Sequence, residues 1–190
     1  MYYRGSQIGI DSVANKITAR PHPIFFCYAE SKDGINWVKP NLGLFEYKGS
    51  KKNNIILANT DFADLKLKVG DNASFFKDEN PNALPSEKYK AFVMAKSGLV
   101  PFKSADGIHW EPMHNKPVIT DGAFDSQNVG FWDSEIGAYR AYWRYFHPFT
   151  AKVTNSRYIR MRAIRTATSK DFIHWENPVS YTHLLAHETK

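Results

Sequence analysis

Two short stretches of this 190-residue chain set an acid beside amides, Asp71-Asn72 and Asp125-Ser126-Gln127-Asn128. Carboxylates can pass a proton to or from a bond that is breaking, and neighbouring amides can hold hydroxyl groups, a pairing suited to glycosidic chemistry. Each stretch stands just ahead of an aromatic run, Phe75-Phe76 and Val129-Gly130-Phe131-Trp132. Asp125 and Asp71 are therefore the candidate acids, and Asn72, Gln127 and Asn128 the candidate hydroxyl-binding amides. The simpler alternative is that these residues form Asx-type turns opening two strands. Arg4 and Arg144 end similar segments, as guanidinium groups at a pocket rim or in a repeated packing role. Glu30 joins the candidates because Lys103 and Thr168 hold the corresponding positions, so the scaffold does not require an acid there.

Other chemistries find little in the sequence. No His pair or Cys cluster has metal-ligand spacing, and Gly-rich phosphate loops are absent, so neither a metal nor another cofactor is expected. The single cysteine, Cys27, sits in the apolar run Ile24-Phe25-Phe26-Cys27-Tyr28 and reads as a small hydrophobe. The formal net charge is +6, yet the Lys and Arg residues are scattered singly among aromatics, which argues against a nucleic-acid partner. No apolar stretch approaches the roughly 18 residues of a membrane-spanning helix, so no membrane partner is expected. Hydrophobic residues make up 43% and aromatics 15%, enough to build a core and to exclude disorder.

The elements that must position these groups recur along the chain. Ser31-Lys32-Asp33-Gly34-Ile35-Asn36-Trp37, Ser104-Ala105-Asp106-Gly107-Ile108-His109-Trp110 and Ser169-Lys170-Asp171-Phe172-Ile173-His174-Trp175 share one pattern, with the tryptophans 73 and 65 residues apart. Pro40, Pro112 and Pro178 close each unit. Ser and Asp can bond the backbone of a tight turn, Gly34 and Gly107 allow positive φ, and Trp anchors the turn, so these acids read as structural. His109 and His174 fill the slot of Asn36 and read as turn residues. Lys88 to Val93 matches Ala138 to Trp143, Tyr2-Tyr3-Arg4 echoes Tyr142-Trp143-Arg144, and Phe75 to Asp78 corresponds to Phe131 to Asp133. A shorter trailing strand is read at Asn54 to Leu57 and Pro117 to Thr120.

Four short strands repeating every 50 to 75 residues, without amphipathic helices between them, describe propeller blades. The fold expected is all-β: part of a five-bladed β-propeller, about three blades of four-stranded antiparallel sheets, at roughly residues 1–57, 71–120 and 122–178. Met1 to Gly5 reads as a strand already under way, so the parent protein is expected to extend upstream. Residues 179–190 resemble the translated read-through of a sequencing adaptor and are expected to be foreign to the fold.

The segment Thr166 to Glu176 resembles the Ser-x-Asp-Leu-x-His-Trp pattern of glycoside hydrolase families 32 and 43. Glu30 to Leu44 and Phe124 to Asp133 are similar to bacterial proteins labelled family 32-like. The resemblance implies a hydrolase of glycosidic bonds, a carbohydrate substrate, and acids drawn from the first three blades around the axis. One carboxylate of that set would then lie upstream of Met1, so the fragment alone is expected to be inactive even where its parent is an enzyme. The resemblance also implies a His-Asn pair where this chain has Asp71-Asn72, which sets Asp71 apart from the family pattern. By the same analogy the parent would be extracellular or periplasmic, though the sequence itself assigns no location. Two rival readings are a non-catalytic propeller that binds glycan or protein, and a sialidase-like enzyme, which would need arginines converging on one carboxylate.

Overall fold

The computed structural model describes residues 1–6, 8–19, 24–67, 72–148 and 160–181. The chain opens with β1 (Tyr2–Gly5), passes through a hairpin of β2 (Ile8–Asp11) and β3 (Lys16–Ala19), and returns as β4 (Phe25–Tyr28). β4 lies between β1 and β5 (Ile55–Ala58), and all pair antiparallel. The second sheet is a meander of β6 (Ser74–Lys77), β7 (Tyr89–Ala95), β8 (Gly98–Ser104) and β9 (Glu111–Pro112). The third repeats it with β10 (Val129–Asp133), β11 (Ala138–Pro148), β12 (Arg160–Ser169) and β13 (Trp175–Tyr181). The fold is all-β, a partial propeller whose successive antiparallel sheets stack as blades.

Strand register shows how the sheets correspond. Ser104 pairs with Tyr89 and Ser169 with Tyr139, so the repeated serine holds the same rung in both sheets. In the first sheet Tyr28 pairs with Tyr2, as Thr166 pairs with Tyr142. Tyr2-Tyr3-Arg4 therefore lies on Tyr142-Trp143-Arg144 rung for rung. Period-2 alternation then sends neighbouring side chains to opposite faces. In β7, Ala91, Val93 and Ala95 pack toward the first sheet with Phe26 and Trp110, while Phe92 and Met94 pack toward the third with Tyr139 and Trp143. The core thus lies between sheets, and the middle sheet is apolar on both faces. Phe92, Phe102 and Phe172 are fully buried, each contributing about 1.5–3 kcal/mol of transfer free energy.

The outer strands vary most. The fourth strand of the second sheet is split: β9 pairs with Phe102 and Lys103, and after a loop Val118 and Ile119 return to bond Leu99. The proline of each of these outer strands, Pro112 and Pro178, sits at a sheet edge, where the missing N–H breaks no ladder bond. β13 continues past Pro178, with Val179, Ser180 and Tyr181 pairing to Thr166, Arg165 and Ile164. These three residues belong to the stretch 179–190 expected from sequence to be foreign to the fold, and the remainder, 182–190, lies outside the described residues.

Candidate functional site

The two ends of the sheets differ in chemistry. At one end lie the repeated turns, each wired alike. Ser31, Ser104 and Ser169 accept from the backbone two and three residues on, and Oδ1 of Asp33, Asp106 and Asp171 does the same. The second carboxylate oxygen meets Asn36 at 2.7 Å, His109 at 2.7 Å and His174 at 2.6 Å. Each tryptophan Nε1 donates back to the carbonyl three residues earlier, at 3.1 to 3.2 Å. For Asp33 these bonds, the Asn36 N–H first, hold the carboxyl well below the ordinary range. For Asp106 and Asp171 partial burial pushes the other way, and the accepted bonds outweigh it. These are fully occupied turn acids.

The other end is where β6 and β10 begin, where β7 turns into β8, and where β11 ends and β12 begins. The two inner strands meet there: the Gly130 N–H donates to Ser74 Oγ at 3.3 Å, and Asn128 Nδ2 donates to the Asn72 carbonyl at 3.1 Å. The loop running from Asp121 into β10 is fastened to the third sheet by two arginines. Arg144 on β11 pairs with Asp125 and lies over the Phe146 ring at 5.0 Å, and its buried Nε has no hydrogen-bond partner. Arg165 on β12 pairs with Asp121, lies over the Tyr145 ring at 3.5 Å and donates from Nε to Ser180 Oγ at 2.8 Å. Trp143 Nε1 adds a bond to the Asp121 carbonyl at 2.9 Å. Beside this loop opens a recess of about 420 Å³ lined by Ser126, Gln127, Trp143, Arg144, Arg162 and Tyr181, among others.

The residues proposed from sequence fall into distinct places. Asp125 stands at the recess with its side chain 69% exposed; Arg144 engages Oδ1. Gln127 lines the recess and donates to the Asn128 carbonyl at 3.2 Å. Asn128 does not present an amide to a ligand: it is fully buried, with Nδ2 bonded to the Asn72 and Phe124 carbonyls. Its role is to brace the inner strands, a correction to the hydroxyl-binding expectation. Asn72 adopts φ 47° and supplies its carbonyl to that brace. Asp71 lies outside the described residues. Register equates Asn72 with Gln127, because Lys77 pairs with Tyr89 as Trp132 pairs with Tyr139.

Glu30 lies at the end of β4 beside the repeated turn, accepting from the Tyr28 hydroxyl at 3.3 Å and bridged to Val38. It lines a separate cavity with Ser31 and Asp33, so the structure does not bring it to Asp125. Arg4 holds the rung of Arg144 in the first sheet, exposed and opposite Phe26. Sequence reading passed over Asp121, Arg162, Arg165 and Tyr181. The signal was present in the run Arg160-Met161-Arg162-Ala163-Ile164-Arg165, a strand with three arginines. Among the described residues no cluster of His, Cys, Asp and Glu is arranged to hold a metal ion, and no helix is long and apolar enough to cross a membrane.

No protein-family model matches the chain, and no curated protein matches it. Among solved structures it is similar to a glycosyl hydrolase from Bacteroides ovatus, at 13% identity and a TM-score of 0.47, over 93% of this chain and 51% of that one. It is similar too to a protein of the GH130 family of mannoside phosphorylases, described as containing glycoside hydrolases that target β-1,2 mannosidic linkages in Candida mannan. There the identity is 14% and the TM-score 0.46, again over 93% of this chain and 51% of that one. The chain spans about half the length of these solved relatives, and neither is described as a member of family 32 or 43.

Proposed function

We propose that this chain is part of a propeller acting on glycosidic bonds, of the broad kind that includes families 32 and 43, with Asp125 as the carboxylate facing the substrate. The observation that carries the reading is the placement of Asp125. It is an exposed acid at the end where the inner strands begin, on the rim of a recess furnished with Gln127, Arg144 and the Tyr181 ring. Amide and guanidinium donors there suit sugar hydroxyls, and aromatic rings suit sugar faces. The test is hydrolysis of a panel of fructosyl, arabinosyl, xylosyl, galactosyl and mannosyl substrates by the full-length parent protein and by its Asp125→Asn variant. Turnover that falls by about 100-fold or more in the variant, with folding intact, supports the reading. Equal turnover in both proteins removes Asp125 from the chemistry.

A second reading is a glycan-binding propeller without catalysis. It is favoured by one feature: among the described residues, Asp125 is the one carboxylate that lines the recess or pairs with a residue lining it, and glycoside cleavage ordinarily uses two. Sugar binding at the recess with no turnover on any substrate selects it.

A further inference from the structure

The two arginines at the recess are unequally matched. Arg144 pairs across the ladder with Ile164, and Phe146 with Arg162, so these four side chains share one face of the β11–β12 hairpin. Arg144 and Arg162 are diagonal neighbours on it, a spacing of about 7–8 Å between strands that lets two long side chains reach one ligand. Arg144 is held by Asp125, whereas Arg162 is exposed and has no ion-pair or hydrogen-bond partner among the described residues. Among the described residues the recess therefore sets two cations against one carboxylate. Ile164 and Tyr181, paired on adjacent strands and 40% and 49% exposed, supply an apolar wall beside the free guanidinium.

We infer that the recess takes a sugar bearing a carboxylate, a uronate or another acidic sugar, with Arg162 as the residue that selects it. A planar carboxylate matches the two parallel N–H groups of a guanidinium, which a neutral hydroxymethyl group does not. Tyr181 offers its ring to the sugar face, and the acid completes the charge balance that Asp125 leaves unfinished. This inference rests on the recess being the sugar site proposed above.

The test uses methyl β-glucuronide, its neutral counterpart methyl β-glucoside, and inorganic phosphate, titrated into the protein, Arg162→Gln and Asp125→Asn at low and high salt. The uronide is expected to bind at least about tenfold more tightly than the glucoside, a charge-assisted pair being stronger than a neutral one. That preference is expected to vanish in Arg162→Gln and weaken with salt. Asp125→Asn is expected to strengthen uronide binding, because it frees Arg144. Equal affinity for the two glycosides, unchanged in Arg162→Gln, overturns the acidic preference while leaving the sugar site standing. Phosphate binding more tightly than the uronide, and losing affinity in Arg162→Gln, overturns the carboxylate assignment. Failure of both glycosides to bind to folded protein overturns the sugar site itself.

Discussion

Phe172 occupies the fourth slot of a turn that elsewhere holds glycine. Its φ is 68°, beside 75° for Gly34 and 79° for Gly107, a left-handed conformation that costs a side-chain-bearing residue about 1–2 kcal/mol. The compensation is packing: the ring is fully buried, stacked on Phe92 at 4.5 Å and edge-on to Tyr139 at 5.2 Å. Phe172→Ala keeps the strained backbone and removes the ring, so it is expected to destabilise the protein by about 3–5 kcal/mol, measured by urea denaturation. The acids of the same turns set a pH response. Asp106 and Asp171 have carboxyl groups lowered in the folded state, so the stability they supply is present above the unfolded value of about 4 and is lost as pH falls through the lowered one. Denaturation midpoints between pH 7 and pH 2 should decline, and Asp171→Asn should lessen the decline. His174, raised by its bond to Asp171, works in the opposite sense: its contribution is present below about pH 6.5 and fades as pH rises through the raised value.

Paired strands carry a device hidden from the sequence repeat. Lys77 faces Tyr89 as Trp132 faces Tyr139, which sets Asp78 on Asp133 and Lys90 on Arg140. Both pairs form: Lys90 Nζ to Asp78 at 2.6 Å and Arg140 Nε to Asp133 at 2.8 Å. The first is buried between sheets, and Tyr139 of the third sheet donates its hydroxyl to the same Asp78 oxygen at 2.6 Å. Burial, first, and that bond to Asp78 push the Tyr139 hydroxyl well above its usual value. Lys90→Met leaves a buried, uncompensated acid and is expected to destabilise by about 3–5 kcal/mol, whereas Tyr139→Phe removes one bond and is expected to lower stability by about 1–3 kcal/mol. Thermal and urea unfolding of both and of the double variant measures their coupling. The turns were legible because Ser, Asp, Gly and Trp do their work within seven residues. The ion pairs were not, because Asp78 and Lys90 become neighbours only once register is known. Asn128 misled for a related reason: an amide ahead of a strand reads alike whether it faces a ligand or braces a buried backbone.

Across the whole molecule, apolar surface lies between sheets, so no sheet has a core of its own. A chain cut after Thr120 would uncover Phe92, Met94 and Leu99, whose packing comes from Tyr139, Trp143 and Phe172. Such a product is expected to bind hydrophobic dyes and self-associate; a soluble monomer with a sharp unfolding transition would count against inter-sheet packing as the source of stability. The strand pattern was readable from alternation and repeats, while the arginine-rich face of the third sheet was masked by a scattered positive charge that looked uninformative in one dimension. One feature of the site end shapes access to it. β7 stops at Ala95, while β11 continues past the corresponding Tyr145 to Pro148, and the first sheet adds the β2–β3 hairpin between its own equivalents. The rim is tall over the outer blades and low over the middle one, like a saddle.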